Sequence, residues 1–347
     1  MISFFMSLFA FMWSEYTGIV KKTNPKRLRN ALAILASYYR ARATKSGIIS
    51  GLPIAMSVEP TTACNLACPE CPSGLKSFTR PTGNIKPALF NKIMDQMSET
   101  LMYLTFYFQG EPFIHPQFLN MVNQASVKGV FTSTSTNAHF LDSENARATV
   151  ESGLDKIIIS LDGTDQVSYE KYRKNGNLER VKEGIHNLVD WKKKSGAKTP
   201  FISLQFIVFN HNEHQLPQIK KMAAQWGVDQ LLFKTAQIYD QVTGPDLLPT
   251  DPALSRYRKN GQGYVLKNKL FDHCWRMWHS CVLTWDGKVV PCCFDKDAKY
   301  VLGDINKSSF EQIWNGGQYQ AFRKRILTAR KSIDICKNCS EGSNIWI

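Results

Sequence analysis

The chain has 347 residues, of which 43% are hydrophobic and 21% are charged. This balance excludes an intrinsically disordered chain, and the length suits one large α/β domain with a smaller unit or two ordinary domains. The formal charge of +14 would suggest nucleic acid if the basic residues formed a recognition motif, but most of the excess lies near the N-terminus, so we expect no nucleic-acid partner.

Residues 1–50 are predicted to form an apolar and basic leader. Met1–Trp13 is almost wholly apolar, but it lacks the preceding positive charge of a secretory signal and is shorter than the ~20 residues of a membrane span. Residues 16–58 contain no acidic residue, and Pro25–Arg42 is predicted to be a basic helix. The alternatives are a solvated helix, a helix packed on the body, a polyanionic partner, and contact of residues 1–45 with an anionic membrane surface.

From Ile54 onward, short runs rich in β-branched and aromatic residues alternate with segments of helical periodicity. The predicted strands are Ile54–Val58, Leu101–Phe108, Val130–Ser135, Lys156–Ser160, Ile202–Phe209 and Gln230–Lys234. The predicted helices are Pro87–Ser98, Pro116–Lys128, Asp142–Ser152, Leu178–Ser195 and Glu213–Trp226. This alternation predicts an α/β fold in which residues 51–240 form a partial (β/α)6 barrel, with its chemistry at the C-terminal ends of the parallel strands.

The pattern changes in the last third of the chain. Residues 241–267 are rich in turn-forming residues and are predicted to be a linker. Residues 268–347 are predicted to form a small second domain, with a hairpin and one long helix, in the order Val282–Thr284, Lys288–Val290 and Ser309 to about Leu327.

Nine cysteines fall into two groups that are separated by a long stretch without cysteine. The first group is Cys64, Cys68 and Cys71, and the second is Cys274, Cys281, Cys292, Cys293, Cys336 and Cys339. Cysteines two or three residues apart usually share a metal rather than a disulfide framework. We therefore expect a reducing, cytoplasmic location.

The first group has the spacing C-x3-C-x2-C and directly follows the first predicted strand, where a barrel places its chemistry. Three thiolates can hold three irons of a [4Fe–4S] cluster and leave the fourth iron without a protein ligand. A zinc site is the alternative, although zinc prefers four ligands and only His115 and His139 in this half could add one. The motif resembles the signature of the radical S-adenosylmethionine (SAM) superfamily, with Glu70 where members often carry an aromatic or apolar residue.

The resemblance implies that SAM chelates the open iron and that one electron cleaves it to a 5′-deoxyadenosyl radical, which removes a hydrogen atom from the substrate. Gln109-Gly110-Glu111 resembles the family's Gly-Gly-Glu motif, which implies that Gly110 and Glu111 bind the SAM ammonium group. Ser160 and Asp162, at the end of the fourth strand, are implied to bind the cofactor, with Ser160 at the ribose. Arg173 resembles the arginine that binds the SAM carboxylate, although an exposed arginine at a helix end is the alternative.

The second group resembles the SPASM/Twitch extension of radical SAM enzymes, which binds auxiliary [4Fe–4S] clusters. Six cysteines imply one such cluster, held by Cys292, Cys336, Cys339 and either Cys274 or Cys281. We prefer Cys274, because the stretch from it to Cys292 fits a loop plus the hairpin, whereas Cys281 opens the hairpin strand. Cys293 is expected to be a buried thiol or one that lies behind the ligands, and a zinc ribbon is the alternative for the whole group.

The implied function is the oxidation of a substrate by hydrogen abstraction, and Asp295 is a candidate base by resemblance, with a surface aspartate as the alternative. The single auxiliary cluster and the lack of a leader-peptide domain favour a small molecule such as a sugar or amino sugar. A peptide- or protein-modifying maturase is the other enzymatic hypothesis. A non-catalytic iron–sulfur or zinc module is the hypothesis from another class. A reducing partner such as flavodoxin or ferredoxin is expected.

Overall fold

The computed structural model describes residues 15, 17–239, 244–261 and 263–341, so the apolar segment Met1–Trp13 lies outside the described residues. Six strands pair in parallel and in chain order, as the sequence predicted. They are β1 (Ala55–Val58), β2 (Tyr103–Phe106), β3 (Phe131–Thr136), β4 (Lys156–Ser160), β5 (Phe201–Val208) and β6 (Gln230–Thr235). The α/β fold with a partial (β/α)6 barrel is therefore confirmed.

Each crossover between these strands contains helix, and the predicted helices are found with small shifts at their ends. The helices up to β6 are α1 (Pro25–Thr44), α2 (Pro72–Leu75), α3 (Pro87–Met97), α4 (Phe118–Val127), α5 (Ser143–Glu151), α6 (Gln166–Tyr172), α7 (Leu178–Lys194) and α8 (Leu216–Trp226). Ile157 and Ile159 on one face of strand β4 are fully buried in the main core. Ile158 on the other face is half-buried between the buried Lys156 and Ser160, so both faces of the strand are largely covered, as in other parallel sheets.

The C-terminal unit extends the same sheet. Its elements are α9 (Arg276–His279), β9 (Ser280–Leu283), β10 (Lys288–Val290), β11 (Gly303–Asp304), α10 (Phe310–Trp314), α11 (Gly317–Ala329) and α12 (Asp334–Lys337). The predicted hairpin is present, with Leu283 opposite Val289. Strand β9 also pairs in parallel with β1, so that Ala55 lies opposite Ser280.

Two parts of the chain differ from the sequence prediction. The predicted linker contains an antiparallel hairpin of β7 (Tyr257–Asn260) and β8 (Gly263–Leu266). The single helix predicted from Ser309 to about Leu327 is wrong, because the chain breaks at the adjacent residues Gly316 and Gly317 into α10 and α11. Glycine costs a helix interior roughly 1 kcal/mol relative to alanine, which favours a break at two in succession.

Helix α1 packs on the body of the protein. Its side chains Ile34, Tyr38 and Ala41 are buried in the main core, and the Tyr38 hydroxyl lies 3.0 Å from His273 Nδ1 in the C-terminal unit. The buried guanidinium of Arg27 donates to backbone carbonyls, among them that of Ser98 at 2.7 Å. Within the described residues, no helix has the length and apolar character that crossing a membrane would need.

Candidate active site

The loop that carries the first three cysteines leaves β1 at Glu59, whose carboxylate organises the start of the loop. Glu59 is fully buried and accepts two hydrogen bonds from Arg80, with Nη1 at 2.8 Å and Nη2 at 2.5 Å. It also accepts the backbone N–H of Trp285 from the C-terminal hairpin at 3.2 Å. A bidentate arginine–carboxylate pair is among the stronger polar contacts in proteins. The first residue of the loop is therefore held in place by Arg80 and by the C-terminal hairpin.

Two glycines let neighbouring backbone approach this loop closely. A Cβ atom on Gly74 would lie 2.5 Å from the backbone nitrogen of Cys68, and one on Gly110 would lie 2.3 Å from the carbonyl oxygen of Thr61. Gly110 also has a φ of +75°, which a residue with a side chain rarely adopts. Gly110 N donates to Ser73 Oγ at 2.9 Å, so the loop after β2 clamps the cysteine loop, and the predicted importance of Gly110 has a steric basis.

The thiols of Cys64, Cys68 and Cys71 lie near one another at the C-terminal end of the sheet. Burial raises the pKa of Cys64 to about 12, and the neighbouring Cys68 and Cys71 add to that rise. Donors face the sulfur atoms: Arg173 Nη1 lies 3.9 Å from Cys68 Sγ, and Asn137 Nδ2 lies 3.9 Å from Cys64 Sγ. Three thiol groups with a guanidinium beside them fit an iron–sulfur cluster, because its thiolate sulfurs are negatively charged.

Glu111 lies beside this group. It is almost fully buried and accepts hydrogen bonds from Thr136 Oγ1 at 2.7 Å and from the backbone N–H of Asn137 at 2.8 Å. Burial raises its pKa to about 7, against the lowering effect of these hydrogen bonds, and Glu111 in turn raises the pKa of Cys64. Oε1 accepts a second hydrogen bond from the Phe113 N–H at 3.3 Å, whereas among the described residues Oε2 accepts only that of Asn137. Oε2 therefore keeps an acceptor site for a cationic ligand, the role implied for Glu111 by the sequence.

Asp162 and Arg173 form one unit. Asp162 Oδ2 accepts Arg173 Nε at 2.6 Å, and Oδ1 accepts the backbone N–H of Ile207 at 2.7 Å. Burial lowers the pKa of Arg173, but Asp162 and Cys68 outweigh it and hold that pKa well above its usual value. Because both carboxylate oxygens are engaged, Asp162 orients Arg173, and the sequence-based alternative of an exposed Arg173 does not hold. Ser160 is nearly buried at the end of β4.

Four cysteines of the second group come together from separate parts of the C-terminal unit. Cys274 precedes α9, Cys292 follows β10, and Cys336 and Cys339 lie in or just after α12. Burial is the leading cause that raises the pKa values of Cys292, Cys336 and Cys339, and Cys274 adds to the rise in all three. Cys336 also raises the pKa of Cys339, and Cys293 and Cys339 also raise that of Cys292. The four thiols therefore form one group, although they are far apart in sequence.

This group also fits a metal cluster by its surroundings. The fully buried Arg330 donates from Nη2 to Cys339 Sγ at 3.6 Å. Burial lowers the pKa of Arg330, but Cys274, Cys339 and Cys336 outweigh that effect and raise it. A buried cation needs a compensating negative charge, and the sulfurs of a four-cysteine cluster provide it.

Cys281 lies elsewhere. It is buried on β9, and burial raises its pKa, with Arg323 as the neighbour that lowers it. No other cysteine contributes to its pKa shift. Cys274 and not Cys281 is thus a neighbour of Cys292, Cys336 and Cys339. The choice of Cys274 as a ligand stays a prediction.

Cys293 is exposed as a residue, because β10 ends at Val290 and the alternation of a strand no longer governs residue 293. Burial nevertheless raises the pKa of its thiol. The other expectation, of a thiol that lies behind the ligands, stays a prediction. Together with Tyr107, Tyr239 and Lys296, Cys293 belongs to a group of neighbouring side chains that we call the inter-site recess. Tyr107 and Tyr239 are 43% and 40% exposed, and burial of their hydroxyl groups raises both pKa values.

The inter-site recess lies beside Cys71 of the first group and includes Cys293, which adjoins Cys292 of the second group and raises its pKa after the leading effect of burial. After burial, which is the leading effect on both residues, Cys71 and Cys293 raise the pKa of Tyr107. The same two thiols raise the pKa of Lys296, against the lowering effect of burial. The Lys296 ammonium lies 3.6 Å from the centroid of the Tyr239 ring and donates to the Glu70 carbonyl oxygen at 3.2 Å. A ligand in the recess would therefore contact residues of both halves of the chain.

Asp295, the candidate base, is only 1% exposed. Its two carboxylate oxygens accept the backbone N–H groups of Lys299 and Tyr300, each at 2.8 Å. Burial raises its pKa, and these two hydrogen bonds lower it. The arrangement favours a structural role in closing this loop over the predicted role in proton transfer.

Several residues of the site carry no sequence motif. The inter-site recess contains Tyr107, Tyr239 and Lys296 because the first two follow the ends of β2 and β6 and the third lies in the loop after β10. Arg330 has a weak signal, since it is a basic residue six positions before a cysteine pair. Glu59 could have been found, because an acidic residue directly after a buried strand and before a metal motif suggests a buried partner.

Comparisons with known proteins agree with this geometry. The model of the radical SAM superfamily matches residues 58–223, and that of the SPASM iron–sulfur cluster-binding domain matches residues 274–340. The chain is 26% identical, over 82% of its length and 86% of the relative's, to the tungsten-containing aldehyde ferredoxin oxidoreductase cofactor-modifying protein of Pyrococcus furiosus. It is 24% identical to the S-adenosyl-L-methionine-dependent 2-deoxy-scyllo-inosamine dehydrogenase of Niallia circulans, over 83% of its own length and 93% of the relative's.

Among solved structures, native anSMEcpe with bound AdoMet is similar in fold, with a TM-score of 0.58 at 14% identity, over 83% of this chain and 88% of that chain. Two domain models in the order that the cysteine groups predict, on the predicted barrel, establish the family. The chain belongs to the radical SAM superfamily and carries a C-terminal SPASM iron–sulfur domain.

Proposed function

We propose that this radical SAM enzyme oxidises a small molecule, such as a sugar or amino sugar, by two electrons. The SAM-binding [4Fe–4S] cluster would be held by Cys64, Cys68 and Cys71. The observation that carries this proposal is the group of three thiols without a fourth, flanked by the Glu111 carboxyl and the Arg173 guanidinium. Gly110 and Glu111 would bind the SAM ammonium group, Arg173 its carboxylate and Ser160 its ribose, with Asp162 orienting Arg173.

A single auxiliary [4Fe–4S] cluster would be held by Cys274, Cys292, Cys336 and Cys339. Four cysteines complete the coordination of such a cluster, so it has no open iron for a substrate. Its role would be the transfer of electrons. The Arg330 contact with Cys339 supports this assignment.

The inter-site recess is the proposed substrate site, because it lies beside Cys71 and includes Cys293, the neighbour of the proposed ligand Cys292. Bound SAM, given one electron, would supply at the first group a 5′-deoxyadenosyl radical able to take a hydrogen atom from a substrate C–H bond. Oxidation to a C=O or C=N bond would then require the loss of one further electron and of one proton from an adjacent O–H or N–H group. The proposed auxiliary cluster of the second group would accept that electron, so that one electron would enter and one would leave in each turnover.

Lys296 and the tyrosines Tyr107 and Tyr239 would orient the substrate. Rings and an ammonium group around a recess suit a polar small molecule, which can stack on the rings and accept a hydrogen bond from Lys296. The relative from Niallia circulans is by its name a dehydrogenase of such a molecule, an inosamine. This similarity supports the small-molecule class over the alternative of a peptide substrate.

The direct test is to purify the protein without oxygen, count its metals, and reduce it in the presence of SAM. We expect a brown protein with about eight irons per chain, as two four-iron clusters require, and release of 5′-deoxyadenosine. A colourless protein with one or two zinc ions per chain would refute the proposal. A brown protein that never cleaves SAM would instead be an electron carrier.

Two further proposals concern the cellular location of the protein and its electron donor. The nine cysteines are free, which supports a reducing, cytoplasmic location. The electron for SAM cleavage would come from a reducing partner such as flavodoxin or ferredoxin.

We also propose contact with an anionic membrane surface through the leader, now restricted to the outer face of α1. Lys22 pairs with Asp155, and Arg27 is buried against backbone carbonyls, so their charges stabilise the fold. The residues that remain available are apolar and basic side chains exposed on or beside α1: Leu28, Arg29, Leu32, Tyr39, Arg40 and Lys45. Each basic residue near an anionic surface contributes about 1 kcal/mol to binding.

Deleting the whole leader would remove Ile34 and Tyr38 from the core, so point variants test this proposal better. The double variant Leu28→Glu/Leu32→Glu should no longer co-sediment with vesicles that contain phosphatidylserine, because it places two anions on the outer face. Val127→Glu, at an exposed apolar position on α4, is the matched control and should sediment like the unaltered protein. SAM cleavage should be unchanged in both. If the unaltered protein does not sediment, or the double variant still does, the membrane proposal fails.

A further inference from the structure

Arg330 follows α11 and lies inside the C-terminal unit, with 0% of its surface exposed. Its guanidinium donates to the carbonyl oxygens of His273 at 2.6 Å and of Glu341 at 2.9 Å. Nη1 also donates to the Phe271 carbonyl oxygen at 3.4 Å. The guanidinium contacts sulfur as well: Nη2 donates to Cys339 at 3.6 Å, and the side chain also forms a hydrogen bond with Cys336. The guanidinium therefore joins the four-cysteine group directly.

No carboxylate neutralises this charge within the described part of the chain. The ion pairs there do not include Arg330, and Asp272 accepts only its backbone N–H, at 3.0 Å. Carbonyl oxygens solvate a guanidinium but do not cancel its charge. The groups that face the charge are the thiols of Cys274, Cys336 and Cys339.

We infer that Arg330 is a positioning residue that raises the reduction potential of the auxiliary cluster. The inference rests on the proposed binding of that cluster by Cys274, Cys292, Cys336 and Cys339. Adding an electron makes a cluster more negative, and a nearby buried cation stabilises the more negative form, since the interaction of charges is strong where water is excluded. Hydrogen bonds to the sulfurs act in the same direction.

The consequence concerns the oxidation of the substrate. A higher potential makes the second site a better electron acceptor, so Arg330 favours the loss of an electron by the substrate radical. This role differs from that of holding the loops together, although the carbonyl contacts of Arg330 serve that purpose too. A measurement of potential separates the two roles.

The chain offers a matched control in Arg323. It is also fully buried and also donates to carbonyl oxygens, those of Met277 at 3.2 Å and Trp314 at 2.9 Å. Its thiol neighbour is Cys281, which is outside the four-cysteine group. Arg323→Gln therefore removes a buried guanidinium of the same domain without removing a contact with the group.

The experiment uses full-length protein in which Cys64, Cys68 and Cys71 are replaced by Ala, so that only the auxiliary cluster contributes. Redox titration followed by electron paramagnetic resonance gives its potential. Arg330→Gln and Arg330→Met should each lower the potential, with at least a tenfold fall in the ratio of reduced to oxidised cluster, or about 59 mV for a one-electron couple. Arg330→Lys keeps the charge and should lie between these and the parent, while Arg323→Gln should match the parent.

The outcomes are distinct. An unchanged potential in Arg330→Gln and Arg330→Met, or an equal fall in Arg323→Gln, would overturn the inference. Loss of the cluster from both neutral variants would also overturn it, since Arg330 would then be needed for assembly and not for the potential. A parent protein without any iron would instead refute the proposed auxiliary site itself.

Discussion

Replacing Cys64, Cys68 and Cys71 together by Ala should abolish SAM cleavage and leave about half of the roughly eight irons that two clusters contain. The three thiols lie in one loop. Its start is held by the Glu59–Arg80 pair, and its end by the hydrogen bond from Gly110 N to Ser73 Oγ. Because Ala cannot ligate iron, the first cluster is lost. The second group, in a different part of the fold, keeps its four ligands. Iron analysis and the release of 5′-deoxyadenosine by the reduced protein are the two measurements.

The same measurements on Cys293→Ala provide a comparison, because Cys293 lies in neither proposed ligand set. It should keep all of the iron and cleave SAM at an unaltered rate in the absence of substrate. Continued cleavage by the triple variant would contradict the assignment of the first site. Loss of all iron from the triple variant would show that the two sites do not assemble independently.

A second large effect is expected from Cys274→Ala, which should lose roughly four of the ~eight irons. Removing a ligand leaves one iron of the cluster open and exposes the whole cluster to loss. Cys281→Ala should retain the iron, because its thiol packs near Arg323 and Tyr319 and its replacement costs only modest packing energy. SAM cleavage should persist in both variants, whereas oxidation of the substrate should fail in Cys274→Ala.

The pair Cys274→Ala and Cys281→Ala is its own control, since each variant removes one nearly buried thiol from the same domain. If Cys281→Ala loses the iron and Cys274→Ala keeps it, the ligand is the residue that opens the hairpin. Equal retention in both would mean that neither thiol is needed. Thermal unfolding of the iron-loaded proteins would report any loss of packing separately.

Much of the barrel could be predicted, because its strands are short buried runs between amphipathic helices. Lys156–Ser160 was predicted with its observed ends, since the isoleucine run is bounded by polar residues on both sides. The two glycines at 316 and 317 carried a signal for a helix break that the long amphipathic pattern around them obscured. The hairpin of β7 and β8 was missed because its sequence is rich in turn-forming and basic residues.

The site was predictable where spacing along the chain encodes it, and not where the fold creates it. Cys64, Cys68 and Cys71 are close in sequence, so their grouping needs no tertiary information. Cys274 and Cys336 are brought together by packing alone, and local sequence could rank Cys274 above Cys281 only through the fit of the intervening loop. The exposed position of Cys293 and the buried carboxylate of Asp295 depend on how one loop turns after β10, which no local pattern specifies.

The pairing of β9 with β1 has a consequence for attempts to separate the two domains. Strand β1 is flanked by β2 on one side and by β9 on the other, so a fragment that stops before the C-terminal domain would carry a bare sheet edge beside its cysteine loop. Such edges pair readily with other chains and promote aggregation. The radical SAM part is therefore poorly suited to excision as a free-standing module, and the separation of the two cysteine groups is held by a shared sheet rather than by a hinge.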